Sequence, residues 1–340
     1  MNAALRLGAA VGLAVLVGSF GVGRADAQAV DVVVAVPNPS AINNFALHTA
    51  IGEGIFEKNG LNVTVEAVDG SSQVLQAMAA GQAQIGQPGP APLLAARARG
   101  EDVVFIFNHF AKSVFGVLVK ADSPIQSPAD LKGTVIGVGT ADGAEVGFTR
   151  AILNDLGMKE GADYTFLPVG DGGLAAAAFL RGDIAAYAGA VSDAAIMESK
   201  GLPLREITPP EYLAYFGNGY AVMASYVKEH PDVIEKFGKS IVEATRFALE
   251  PGNRDKVLAH TTTGNPQEGE DPAFANALFD AIVVRIEPND RANGWGYQPP
   301  EDWQKWHDSQ VSSGSLKAPL PNLTDAYTND FVAVWNEAPQ

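Results

Sequence analysis

The chain has 340 residues, with 39 Asp and Glu against 23 Lys and Arg and no cysteine, for a formal net charge of −16. Its 47% apolar and 18% charged side chains suit a folded protein rather than a disordered one, and the length suggests two domains, since single cores stop growing near roughly 250–300 residues. The acidic balance argues against nucleic acid, which needs clustered Lys and Arg, and the lack of Cys excludes disulfides, Cys nucleophiles, thiolate metal sites and a lipid-modified N-terminal Cys.

Residues 1–27 read as a signal peptide. Arg6 supplies the positive start, Leu7 to Val22 is apolar apart from Gly and Ser19, and Ala25-Asp26-Ala27 is a small-x-small cleavage pattern that leaves Gln28 as the new N-terminus. The alternative is a retained anchor, for which the apolar run is short against the roughly 20 residues of a span. The expected destination is the periplasm, as a soluble protein.

Beyond the leader, strand and helix patterns alternate, which predicts an α/β fold with largely parallel sheets. Asp31 to Val36 reads as a buried strand ended by Pro37. Leu47, Ile51 and Ile55 recur every four residues and predict one helix reaching Asn59-Gly60. A strand over Leu61 to Val68 follows, then a helix capped by Ser71-Ser72 and a short strand at Ile85-Gly86. Next come the turn Gln87-Pro88-Gly89-Pro90, a short helix over Leu93 to Arg99, and strands over Val103 to Phe107 and Val114 to Val119.

A break at Asp122-Ser123-Pro124 opens a second unit. Strands are expected at Thr134 to Val138, Tyr164 to Val169, Ile184 to Ala188 and Leu204 to Ile207, with helices at Glu145 to Leu156, Leu174 to Arg181 and Ala194 to Lys200. Tyr220 to Ala224 reads as a strand leaving that unit. After Pro231 long helical patterns dominate: Val233 to Leu249, Arg254 to His260, Pro272 to Ile286, Glu301 to Gly314 and Thr324 to Trp335. Asn265 to Asp271 reads as a solvated acidic loop. The expected organisation is a discontinuous first lobe of residues 28–119 and 221–340, carrying the helical wrap, and a second lobe of residues 120–220. Two crossovers between lobes make a hinge, and the cleft between them is the expected ligand site.

Enzyme signatures are missing: there is no G-x-S-x-G, no H-E-x-x-H and no P-loop. Gly137-x-Gly139-x-x-x-Gly143 is one residue too long for a dinucleotide fingerprint. The histidines at 48, 109, 230, 260 and 307 lack metal-ligand spacing. No catalytic residue, metal or cofactor is expected.

Ligands of open α/β sheets collect at the carboxyl ends of strands. That rule selects Asn38 and Asn43 after the first strand, Pro88 and Gly89 after the third, and Asn108 and His109 after the fourth. It also selects Thr140, Asp142 and Gly143 at a helix start in the second unit, Ser192 and Asp193 at another, and Asn218 in the Gly-rich loop Phe216 to Tyr220. Asp142 is either a helix N-cap or a partner for a ligand N–H. His109 and the Asn218 loop serve either ligand contact or hinge packing. Phe107, Phe110 and Tyr220 are candidates for stacking on a planar ligand, and Phe115 is read as core.

Four stretches carry a family resemblance. HTAIGEGIFEKNG at His48 to Gly60, followed by Leu61-Asn62-Val63, resembles the G-(I/L)-F-x-x-x-G-L-x-V element of type II periplasmic solute-binding proteins. Gln76 to Gly86 is similar to their A-x-x-x-G-x-x-D-x-G element, with Gln84 where Asp is usual. Ser123 to Val138 resembles S-x-I-x-x-x-x-D-L-K-G-x-x-(I/V)-G-V, and Phe179 to Ala186 resembles L-x-x-G-x-(I/V)-D-A with Ala185 in place of Asp. The branch resembled contains the nitrate, sulfonate and taurine receptors and those for pyrimidine precursors of thiamine. The resemblance implies a monomeric Venus-flytrap receptor that delivers a solute to the permease and ATPase of an ABC importer. It leaves two other classes open: an enzyme of pyrimidine-precursor metabolism on the same fold, and a sensor for a signalling partner. An anion receptor needs helix-start N–H groups, hydroxyls or Arg. The selected turns offer Ser40, Thr140 and Ser192 but no Arg, and they carry two carboxylates, so a heteroaromatic or amine-bearing solute is expected over nitrate, sulfonate or taurine.

Overall fold

The computed structural model describes residues 29–213, 215–288 and 290–337 together with Met1, so the leader reading of residues 1–27 lies outside the described residues. Two five-stranded mixed sheets carry the architecture. The first runs in the order β2-β1-β3-β10-β4, from β1 (Val30–Val36), β2 (Leu61–Ala67), β3 (Ile85–Gly86), β4 (Val103–Phe107) and β10 (Tyr220–Met223). The second runs β7-β6-β8-β5-β9, from β5 (Phe115–Lys120), β6 (Thr134–Val138), β7 (Tyr164–Pro168), β8 (Ala186–Ala190) and β9 (Leu204–Glu206).

The two sheets share a wiring pattern. β1 pairs parallel with β2 and β3, as β6 does with β7 and β8. In each sheet the fourth position holds an antiparallel strand that arrives from the other sheet: β10 beside β3 and β4, and β5 beside β8 and β9. Each sheet is therefore mixed rather than largely parallel. The segment Val114 to Val119, expected to end the first unit, is instead a strand of the second sheet, because Phe115 pairs with Ala190 and Leu118 with both Tyr187 and Glu206.

Local sequence explains most boundaries. Val and Ala fill β1, whose residues 34 to 36 are fully buried, as a strand covered on both faces requires. The period-four pattern of Leu47, Ile51 and Ile55 continues through two helices rather than one, Phe45–Gly52 and Ile55–Lys58. Gly54 stands between them at φ +65, a conformation that a helix interior cannot contain. Ser71 is not a helix cap: Gly70–Ala79 has no side-chain cap, and the Ser71 hydroxyl instead accepts the Gly89 N–H at 3.1 Å. The expected last helix breaks into Leu323–Ala326 and Val332–Asn336.

The C-terminal helices do more than wrap the first sheet. Pro231–Leu249 and Arg254–Gly264 pack on the helix Phe45–Gly52, whereas Pro272–Ile286 packs on Val191–Ser199 and Pro300–Ser312 touches helices of both sheets. Buried tryptophans anchor this layer, each with its indole N–H paired as burial demands. Trp303 donates to Gln298 Oε1 at 3.2 Å, Trp306 to the Phe216 carbonyl at 3.1 Å and Trp335 to the Ile234 carbonyl at 3.2 Å. Gln298 in turn donates to the carbonyl of Phe105, and Asn108 N–H to that of Gly296, so the tail covers the β4 edge.

Trp335 reaches its carbonyl because residue 238 has no side chain: a Cβ there would lie 2.2 Å from Trp335 Cε2. Gly238→Ala would gain up to about 1 kcal/mol of helix propensity, but forcing a rigid indole aside costs about 1–3 kcal/mol. We expect a net loss, read as a lower urea midpoint with an unchanged slope. A midpoint equal to or above that of the parent chain would show that the tail is not packed as described.

Candidate ligand-binding site

The turns after β1, β3, β6 and β8 converge on one cavity of about 910 Å³. This lies at the upper end of the range for small-molecule sites. The two sets of turns touch. Asn43 Nδ2 donates to Ser192 Oγ at 3.2 Å, a Cβ on Gly70 would come within 2.8 Å of Thr140 Oγ1, and one on Gly89 within 2.5 Å of Ala144 Cβ. Both sheets thus line the cavity. Phe110, Phe115, Leu174, Ile196 and Phe274 supply its apolar wall.

The first sheet contributes amides. Asn43, Asn44, Gln87 and Asn218 line the cavity and are all at least nine-tenths buried. Their hydrogen bonds fix the orientation of each amide, since an amide nitrogen donates and its oxygen accepts. Asn44 Nδ2 donates to the Ser40 carbonyl at 3.2 Å, and Asn218 Nδ2 to the Gln87 carbonyl at 3.1 Å. The oxygens of Asn43, Asn44 and Asn218 and the amide nitrogen of Gln87 are left without a partner. Buried polar groups are rarely left so, because each costs about 1–3 kcal/mol unless a partner arrives. Ser40 closes this side by donating to Glu268 Oε1 at 2.5 Å, while Glu268 Oε2 accepts the Ile42 N–H at 2.9 Å. The segment Asn265 to Asp271 is exposed at Pro266, Gln267, Glu270 and Asp271 as expected, but within it Pro266–Gly269 is a 3-10 turn whose buried Glu268 is tied to the β1 turn.

The second sheet contributes acids. The Tyr187 hydroxyl lies 3.3 Å from Asp171 Oδ1 and 3.4 Å from Asp193 Oδ2, and Asp193 Oδ2 also accepts the Ala190 N–H at 3.0 Å. Glu145 Oε1 accepts the Thr140 N–H at 3.3 Å. A Cβ on Gly139 would meet both Asp171 Oδ1, at 2.0 Å, and Glu145 Oε1, at 3.4 Å, so these two carboxyl groups crowd one spot. Burial, reinforced by the neighbouring charges of Asp171 and Glu145, pushes the Asp193 carboxyl up to about 8. Burial likewise pushes Glu145 up to about 7.

Of the turn residues selected from sequence, Asn38, Asn43, Thr140, Gly143, Ser192, Asp193 and Asn218 line the cavity. Pro88, Gly89, Asn108, His109 and Asp142 do not. The Pro88 carbonyl and Gly89 N–H are spent on Gly219 and Ser71, and Asn108 is drawn to the tail at Gly296. His109 is buried behind Asn43, with Nε2 3.2 Å from that residue's carbonyl, and burial lowers its pKa to about 4, so the neutral ring braces the Asn43 backbone. Asp142 is neither cap nor cavity residue: it is exposed, Gly143 flanks the helix Ala144–Asp155 without a side-chain cap, and Glu145 turns inward in its place. Phe107 and Tyr220 belong to the core, with Tyr220 packed on Phe237 at 5.0 Å, whereas Phe115 reaches the cavity. Sequence reasoning missed Glu145, Asp171 and Tyr187, and it singled out the turns of Asn44 and Gln87 without selecting those two amides. Asp171 carried the same signal as the others, a Gly-rich turn at the end of a strand; Tyr187 lies inside β8 and carried none.

This arrangement, two mixed sheets with a polar cavity at their facing strand ends, defines the chain as a protein of the periplasmic-binding-protein fold. The alkanesulfonate-binding protein SsuA from Xanthomonas axonopodis pv. citri, solved with MOPS, superposes with a TM-score of 0.66 at 18% identity, over 87% of this chain and 96% of that one. The profile of the family described as NMT1/THI5 like matches residues 42–253, and the chain belongs to that family. Two curated relatives are similar along most of their length. A formylaminopyrimidine-binding protein of Halalkalibacterium halodurans is 22% identical over 273 residues, covering 78% of this chain and 80% of that protein. The riboflavin-binding protein RibY of Chloroflexus aurantiacus is 22% identical over 290 residues, covering 84% and 81%. This chain is therefore a small-solute binding protein of that type.

The raised carboxyl groups set a pH dependence. A carboxyl whose folded pKa lies above its unfolded value of about 4 favours folding most below that value, and its contribution is lost as pH rises through the folded pKa. Stability of the ligand-free protein should therefore fall between about pH 5 and pH 8, as Glu145 near 7 and Asp193 near 8 lose their protons. Asp193→Asn should melt at least ~2 °C above the parent at pH 9 and close to it at pH 5. A variant less stable than the parent at pH 9 would contradict the assignment.

Proposed function

We propose that the protein is the substrate-binding component of an ABC importer, exported to the periplasm by its leader. There it captures a small heteroaromatic or amine-bearing organic solute. The observation that carries this reading is the set of buried, unpartnered amide groups around a cavity lined by both sheets. Groups left so in the interior await a partner that the chain itself does not provide.

Capture follows from the wiring. The chain passes between the sheets after β4 and returns through β10, and these connections form a hinge between a first lobe built on β1–β4 and β10 and a second built on β5–β9. Closure brings the Asn43 turn against Ser192 and removes the solute from water, so each hydrogen bond made inside strengthens. The closed, monomeric complex then presents both lobes to the permease. The relatives are binding proteins, which favours capture without turnover over catalysis. Nitrate, sulfonate and taurine fit the cavity poorly: seven Asp and Glu side chains line it against one basic residue, Lys200, and no Arg.

A thermal-shift screen across pyrimidines, flavins, amines and sulfonates tests this reading. A true solute at 100 times its dissociation constant adds about 2.7 kcal/mol of stability, at one molecule per chain and with the solute recovered unchanged. Chemical conversion of the solute, or tightest binding by a sulfonate, would overturn it.

A further inference from the structure

The two halves of the cavity differ in what they ask of an occupant. The first-sheet half carries the carbonyl oxygens of Asn43, Asn44 and Asn218, each buried and lacking a donor, beside the unpartnered amide nitrogen of Gln87. The second-sheet half presents carboxyl oxygens of Glu145, Asp171 and Asp193 around a single phenol O–H, that of Tyr187. One hydroxyl proton cannot satisfy two carboxylates, and the only basic residue of the lining, Lys200, lies exposed with its stem against Gly173. Among the described residues no group of three or more acidic or His side chains is arranged to hold a metal ion. In the first half the unpartnered buried oxygens outnumber the unpartnered amide nitrogen of Gln87, and the second half lacks a buried positive charge.

We infer that the solute is a compact organic cation whose charged nitrogen sits between Glu145, Asp171 and Asp193, while its further N–H groups donate to the amide oxygens of the first sheet. The class is an amine, amidine or protonated amino-heterocycle with N–H donors at both ends and an apolar body between. Phe110, Phe115 and Phe274 face that body. A carboxyl cluster in which Asp193 is buried and Glu145 partly so favours a cation over a neutral isostere and rejects an anion, because close pairing is worth most where water is excluded. This inference rests on the reading of the protein as a solute receptor and adds the charge and orientation of what it holds.

Matched probe sets of equal shape test it: benzamidine, benzamide and benzoate, and 4-amino-2-methylpyrimidine bearing 5-aminomethyl or 5-hydroxymethyl. The cation should bind at least about tenfold tighter than its neutral partner and the anion should not bind, a gap of about 1.4 kcal/mol. Glu145→Gln and Asp193→Asn, each checked for a cooperative melt, should weaken the cation by at least about tenfold and the neutral probe by less than about threefold. Equal or tighter binding by a neutral or anionic probe, or unchanged cation affinity in both variants, would overturn the inference. If solutes outside these sets bind while every cation fails, the cation assignment falls and the receptor reading stands. If no solute of any class binds, the receptor reading falls with it.

Discussion

Strand β10 is the constraint that the other features depend on. Its four residues run antiparallel between β3 and β4, so the chain cannot complete its first sheet until it has built the second and come back. The insertion is locked by rings: Tyr220 packs on Phe237 at 5.0 Å, His109 at 5.5 Å and Phe107 at 5.9 Å. It is also locked by the absence of one side chain, since a Cβ on Gly219 would lie 2.3 Å from the Phe107 carbonyl. Once β10 is seated, the residue just before it is fixed as well. Asn218 reaches the Gln87 carbonyl and leaves its own oxygen buried at the cavity wall without a donor. The same few residues thus close the sheet, complete the second crossover and supply part of the site.

The site inherits its polarity from that geometry. The first sheet meets the cavity through turn backbone and amides, which are neutral and held by carbonyl partners. The second meets it through carboxyl groups on a helix start, a Gly-rich turn and another helix start. Glycines at 139 and 189 make room for those acids, since a Cβ at either would fall within 3.0 Å of Asp171 or Asp193 oxygen. Crowded carboxylates without a counter-charge are costly, so the ligand-free protein keeps protons on part of the cluster. A cation offers the cluster what the chain withholds, and this links the local strain of charge to the chemistry of capture.

Much of the fold was legible because strands and helices here follow their periods closely; Thr134–Val138 and Pro272–Ile286 match the expected spans residue for residue. The family elements pointed to the same architecture, and Gln84, where Asp is usual, proves structural: its Oε1 accepts the Val33 N–H at 2.8 Å. Less legible was pairing between distant segments. Nothing local in Phe115–Lys120 says which sheet it joins, and Glu268 meets Ser40 across 228 residues of chain. In the site, the turns were found by the strand-end rule, but the facing side chain was not. Asp142 and Glu145 flank one helix start, and only the phase of the helix decides that Glu145 turns inward.

Cation capture by this cavity requires carboxyl groups of abnormally high proton affinity in its second-sheet half. Side-chain carboxyl carbon NMR across a pH titration of the ligand-free protein measures this directly, with Glu145→Gln and Asp193→Asn supplying the assignments. Two carboxyl groups should still be protonated at pH 6, with Glu145 titrating near 7 and Asp193 near 8, and a bound cation should drive both to the ionised form at that pH. Titration of all carboxyl groups near the ordinary value of about 4 would contradict it.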